Sequence, residues 1–191
     1  IIVAVASFVI TFVLTLVFGF EEEGTTEKVD SSENVEAGSH DPKKVYSPVQ
    51  GKVVPLEKVN DSAFSEKLMG EGIAILPESN QIVSPFDGTV AAVFPTKHAI
   101  GLVSDTGIEV LIHVGIDTVQ LNGQYFESLV ESGDRVKKGQ PILTVDFDKV
   151  KEAGYDIVTP IIVTNTSEYV AVVAKDEMTE ATPENAIIYV I

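Results

Sequence analysis

No cysteine occurs among the 191 residues. Disulfides, thiolate nucleophiles and cysteine-held zinc are therefore excluded, and a reducing compartment fits. Positive charge is scarce: 13 Lys and Arg stand against 29 Asp and Glu, a formal net charge of -16. A nucleic-acid surface needs clustered cations to meet phosphates, so nucleic acid is not an expected partner. Partners with basic faces are favoured instead. No Met stands at position 1, as expected of a fragment or a processed product. Histidine is scarce too, with three in the chain.

What is present falls into three materials. Residues 1–20, IIVAVASFVITFVLTLVFGF, hold no charge. That length matches a membrane-spanning helix, and it exceeds an ordinary soluble strand. A signal peptide would add a basic leading region and a small-residue cleavage site, and neither is visible. No Lys or Arg lies close by to orient the segment. Residues 21–45 begin EEEGTTEKVDSSENVEAGSHDPKK, acidic and rich in Ser, Gly and Thr. Such a stretch cannot offset its ordering entropy and is expected to be a flexible linker. His40 falls there and reads as a solvated linker residue.

From residue 46 to 191 the pattern changes again. Short runs of Val and Ile are cut by Gly, Pro, Asn and Asp: GKVVPL, GIAILP, QIVSPFDGTVAAVF, AIGLVS, GIEVLIHVGI, QPILTVDF and DIVTPIIVT. Many short strands with turn signals predict an all-β antiparallel sandwich or barrel. Helix is expected only as one or two turns near 62–69 and another at 147–153. A frame S-P-x-x-G-x-V occurs at Ser47–Val53 and again at Ser84–Val90. In each, Pro fixes φ and Gly permits a turn before the next strand. Two strand-turn-strand units packed on each other would explain the echo. A third turn into a buried strand is expected at Glu131–Leu143, ESGDRVKKGQPIL.

Two histidines bracket one hairpin, HAIGLVSDTGIEVLIH, from His98 to His113. With a two-residue loop at Asp105-Thr106, His98 sits directly across from His113 and Ile100 across from Leu111. Opposed Cβ atoms in such a pair are about 5 Å apart. A type I turn with Gly107 as a G1 bulge competes and shifts the pairing by one. Alternation places Ile108, Val110, Ile112 and Val114 on one strand face and Glu109, Leu111 and His113 on the other.

Several chemistries could use paired imidazoles. Metal binding needs a third ligand, which Asp117 could supply. A Ser-His-Asp hydrolase needs a nucleophile elbow, and that glycine pattern is missing. A neutral imidazole can also attack phosphorus as a nucleophile. The second histidine and a hydroxyl such as Thr96 would then stabilise the phosphoryl oxygens.

P-T-K-H-A-I-G-L at 95–102, followed by L-I-H-V-G-I-D-T-V-x-L-N-G at 111–123, resembles the glucose-type IIA domain of the bacterial sugar phosphotransferase system. The resemblance covers residues 46–191 and implies a duplicated hybrid β motif. It implies an enzyme, a phosphotransferase that uses no cofactor beyond a transient phosphoryl group on His113. That residue would accept the group at Nε2 from phospho-HPr, with His98 hydrogen-bonding the group and Thr96 orienting it. Asp61 and Asp117 would stand at the rim. Phe64, Leu68, Met69, Phe94, Leu111 and Val119 would form an apolar docking ring. The phosphoryl group would pass next to a IIB cysteine. Residues 1–20 would close a IIC membrane domain of a β-glucoside, sucrose or trehalose type IIBCA permease. Residues 46–191 would then lie on the cytoplasmic side of the cell membrane. Two rivals share the β-barrel turns. A biotinyl or lipoyl carrier needs a lysine at a hairpin tip, where this chain has Asp105-Thr106. A zinc peptidase of related fold needs H-x-H, which does not occur.

Overall fold

The computed structural model describes residues 43–191. The expected membrane helix at 1–20 and linker residues 21–42 lie outside the described residues. Among those described, no helix is long and apolar enough to cross a membrane. Lys43, Lys44 and Val45, expected to end the linker, are part of a strand. β1 (Lys43–Tyr46) pairs antiparallel with β14 (Ala186–Val190), which buries Val45.

The described residues fold into antiparallel sheets. The largest has eight strands, in the order β13 (Glu180–Ala181), β2 (Gly51–Val54), β3 (Glu71–Pro77), β11 (Thr159–Val163), β7 (Glu109–His113), β6 (Ala99–Ser104), β5 (Gly88–Val93) and β9 (Arg135–Val136). Two three-stranded sheets accompany it. One is β1–β14–β12, with β12 at Val172–Ala174; the other is β4 (Gln81–Val83), β10 (Pro141–Val145) and β8 (Phe126–Ser128). Each apolar run named from the sequence supplies one or two of these strands. Helix is confined to short pieces, α1 (Ser62–Ser65) and α2 (Phe147–Glu152), each capped by an aspartate side chain, Asp61 and Asp146.

One face of the large sheet holds the main core. Ile73, Ile75, Ile161, Val163, Val110, Ile112, Ile100, Leu102 and Val90 pack there against Ile82, Ile142 and Leu143 of the small sheets. Burying a side chain of this kind is worth about 1.5–3 kcal/mol. The opposite face presents Leu111, His113, Ile162, Gly72 and Gly101 in paired register.

The echo is a structural duplication. Tyr46 N donates to Pro85 O, and Val83 N donates to Pro48 O, so each unit hydrogen-bonds the other's proline carbonyl. Ser47 and Ser84 are both buried, and each hydroxyl donates two residues on, to Val49 O and Phe86 O. The likeness extends further along the chain. Ser47 N donates to Asn185 O and Ser84 N to Gln140 O, so the turns entering β14 and β10 occupy equivalent places.

The hairpin takes the bulged form. Ala99 pairs with His113 and Ile100 with Ile112, so direct opposition of the two histidines does not occur. Gly107 has φ +87°, its N–H donates to Ser104 O, and Ser104 N donates to Ile108 O. Asp-Thr-Gly favours this loop because its third residue must be left-handed, where glycine has no Cβ penalty.

Candidate active site

The two histidines meet by a route other than the expected one. His98 lies one position outside β6, directly after Lys97 at φ +58°. Lys97 N donates to Phe94 O in the tight turn before it. His98 O accepts from Val114 N at 2.7 Å, which joins the ends of β6 and β7. The imidazole rings stand edge to face with centroids 4.9 Å apart. His113 lies on the face expected from alternation, away from the main core.

Aromatic rings enclose the pair. Phe64 of α1 lies 5.1 Å from the His113 ring, and Phe94 meets His98 edge-on at 5.6 Å. His98 is 2% exposed and His113 7%. Burial, the largest cause, and then the neighbouring His113 push His98 down to about 3. Burial also lowers His113. Its hydrogen bond to Gly115 and the charges of Asp61 and Asp117 act in the opposite sense. Both rings are therefore neutral near pH 7.

Hydrogen bonding fixes which nitrogen of His113 is free. Its Nδ1 lies 2.8 Å from Gly115 O. A carbonyl only accepts, so Nδ1 holds the proton and Nε2 holds the lone pair. His98 Nδ1 lies 2.6 Å from Thr96 Oγ1, while His98 Nε2 is buried without a hydrogen-bond partner. A buried unpartnered imidazole nitrogen costs free energy unless an incoming group meets it. The arrangement thus offers one nucleophilic nitrogen and a second nitrogen waiting for a partner.

The other expected residues divide by exposure. Leu68 is 65% exposed. Met69 and Val119 are half-buried, Asp61 is half-buried and Asp117 exposed. Phe64 and Phe94 are buried, Phe64 tilted against the His113 ring and Phe94 edge to face with His98. Leu111, expected in the docking ring, is 2% exposed and packs within the sheet between Gly101 and Ile162. It offers a partner almost no surface. Among the described residues no three His, Cys, Asp or Glu side chains gather as a metal site. Asp117 stands at φ +59° before a 3-10 turn at Thr118–Leu121. Two residues of the site were not anticipated: Gly115, whose carbonyl sets the His113 tautomer, and Thr118, which is fully buried. The motif containing them was visible; their hydrogen bonds were not.

A family model for the phosphoenolpyruvate-dependent sugar phosphotransferase system, EIIA 1, matches residues 43–169. The chain belongs to this family. Curated relatives of this EIIA domain include a PTS glucose-specific EIICBA component from Staphylococcus saprophyticus, 45% identical over 89% of this chain and 25% of the relative. A PTS beta-glucoside-specific EIIBCA component from Bacillus subtilis is 50% identical over 65% of this chain and 20% of its own length. The chain thus spans about a quarter or less of these relatives. The solved glucose permease IIA of Mycoplasma capricolum superposes with a TM-score of 0.72 at 36% identity, covering 78% of this chain and 96% of that one. The all-β sandwich is therefore the EIIA fold.

Proposed function

We propose that residues 43–191 act as the IIA phosphocarrier of a sugar permease, with Nε2 of His113 taking the phosphoryl group from phospho-HPr. The observation behind this is the His113 Nδ1 hydrogen bond to Gly115 O, which leaves Nε2 unprotonated beside His98. In the step, the Nε2 lone pair forms an N–P bond while the donor's N–P bond breaks, and the donor imidazole keeps that electron pair. The His113 ring gains positive charge, which the Gly115 carbonyl and the carboxylates of Asp61 and Asp117 stabilise. Thr96 donates its hydroxyl hydrogen to His98 Nδ1, so Nε2–H of His98 donates to a phosphoryl oxygen. Exclusion of water by Phe64 and Phe94 protects the phosphoimidazole from hydrolysis.

The phosphoryl group then passes to the thiolate of a IIB cysteine, since this chain has no cysteine of its own. A IIC domain of the same permease would import the sugar that receives it. Residues 1–20 would end that membrane domain, and 21–42 would tether the carrier at the cytoplasmic face. A tether of that kind raises local concentration to roughly millimolar. Leu68, Met69 and Val119 would supply apolar surface against which HPr and IIB dock in turn.

Intact-mass measurement after incubation with phosphoenolpyruvate, enzyme I and HPr tests the reading. One acid-labile phosphate is expected on the wild type and none on His113→Ala. An unmodified wild type, or phosphate retained by His113→Ala, would overturn it.

A further inference from the structure

The two peptide units that join His113 to Gly115 are each held by a hydrogen bond. Val114 N donates to His98 O at 2.7 Å, and Val114 O accepts from the Thr118 hydroxyl at 2.6 Å. Val114 therefore ties His98 O through the peptide unit it shares with His113, and Thr118 through the unit it shares with Gly115, the residue whose carbonyl sets the His113 tautomer. Gly115 itself has no room to move. At its φ of +74°, an added Cβ would stand 2.6 Å from Thr118 Cγ2 and 2.7 Å from Asp156 O. Ile116 N donates to Asp156 O, closing the far side of the turn. Thr118 is fully buried, so its hydroxyl has no exposure through which water could replace it.

We infer that Thr118 is a positioning residue. Its hydroxyl holds the Val114 carbonyl beside Gly115, so that Gly115 O stays aimed at His113 Nδ1 and the nucleophilic nitrogen remains Nε2. Without the hydroxyl, Val114 O loses its partner in a buried place and the peptide rotates to find another. Gly115 shares that unit, so its φ changes. The next unit, which carries Gly115 O, keeps only the Ile116 N–H bond to Asp156 O. Gly115 O drifts, and the Nδ1–H tautomer loses the bond that selects it. The histidine then spends part of its time with the proton on Nε2, where it cannot attack phosphorus. Thr118 touches neither phosphoryl group nor partner; it acts through Val114 and Gly115.

The kinetic part of this inference rests on the phosphocarrier reading, whereas the tautomer part does not. Thr118→Ser keeps the hydroxyl, while Thr118→Val and Thr118→Ala remove it. Loss of one buried hydrogen bond is small beside the stability of an ordinary domain, so these variants fold. Ring-nitrogen NMR near pH 7 is expected to show His113 of the wild type and of Thr118→Ser with Nδ1 protonated. Thr118→Val and Thr118→Ala should shift both ring nitrogens toward the opposite tautomer. Phosphorylation by phospho-HPr should lose about tenfold in kcat in those two variants with KM little changed, because the docking surface is untouched. Should Thr118→Val be poorly folded, the Ser and Ala variants, which differ by the hydroxyl alone, decide the matter. Ring-nitrogen shifts that match the wild type in the Ala variant would overturn the inference even if wild-type phosphorylation proceeds normally. A wild type that takes no phosphate would instead remove the phosphocarrier reading and leave the tautomer result standing.

Discussion

His98 and His113 are costly residues to bury. A histidine whose folded pKa lies below its unfolded value binds fewer protons in the native state than in the unfolded one. Its burial is harmless above about pH 6.5, the unfolded value. As pH falls below that, the unfolded chain gains protons that the native site refuses, and stability drops. For His98 the window runs from about 6.5 down to about 3, and the loss is on the order of a few kcal/mol. Denaturant midpoints measured from pH 7 to pH 4 should therefore fall steeply, and less so in His98→Gln. A His98→Gln variant with the wild-type slope would show that His98 is not held neutral. The same variant should still be phosphorylated at His113 but pass the group on poorly, since Gln offers a different donor position at the phosphoryl oxygens. Normal onward transfer to IIB would refute the role given to His98.

The hairpin joining these residues shows how far an element can be read from its letters. Alternation in GIEVLIHVGI placed His113 on the correct face, because strand period is fixed by backbone geometry. Its register could not be settled, because Asp-Thr-Gly suits two loop geometries and only tertiary packing selects between them. Convergence of the rings was expected for a reason that fails: Ala99, not His98, lies across from His113. What brings His98 in is the left-handed Lys97, and nothing about a lysine advertises positive φ. AIIYV of β14 and the short strands β8, β12 and β13 were not singled out either. Runs of two or three residues give no period to detect. The turn after α1 depends on similar hidden detail. Lys67, at φ +56°, pairs with Glu57 at 3.0 Å and Glu71 at 2.8 Å, tying Phe64 and Leu68 to flanking elements. All three side chains are more than a third exposed or close to it, so global stability should change by less than about 1 kcal/mol in Lys67→Met. Local opening is where the change belongs. Amide hydrogen exchange of Leu68 and Gly70 should quicken in Lys67→Met while core amides of β7 and β11 stay unchanged. Equal exchange at Leu68 and Gly70 would mean that the ion pairs do not hold this turn.

At the scale of the molecule, the S-P-x-x-G-x-V echo marks a duplication over seven residues, and the fold extends it to strands of unlike sequence. The two halves share hydrogen bonds rather than side chains, which is why the likeness fades from the sequence outside the turns. Glycine marks the shared constraint. A Cβ at Gly51 would lie 2.1 Å from Leu76 O, and one at Gly88 would lie 2.2 Å from Val103 O. Both positions press the strand against a neighbouring carbonyl that belongs to a sheet ladder and cannot withdraw. Such overpacking costs about 1–3 kcal/mol. Gly51→Ala and Gly88→Ala should therefore each lower the unfolding free energy by that amount, with similar losses because the two environments are equivalent. Equilibrium denaturation of the two variants measures this directly. Two unequal losses, with one near zero, would show that the duplicated units are alike in path but independent in packing.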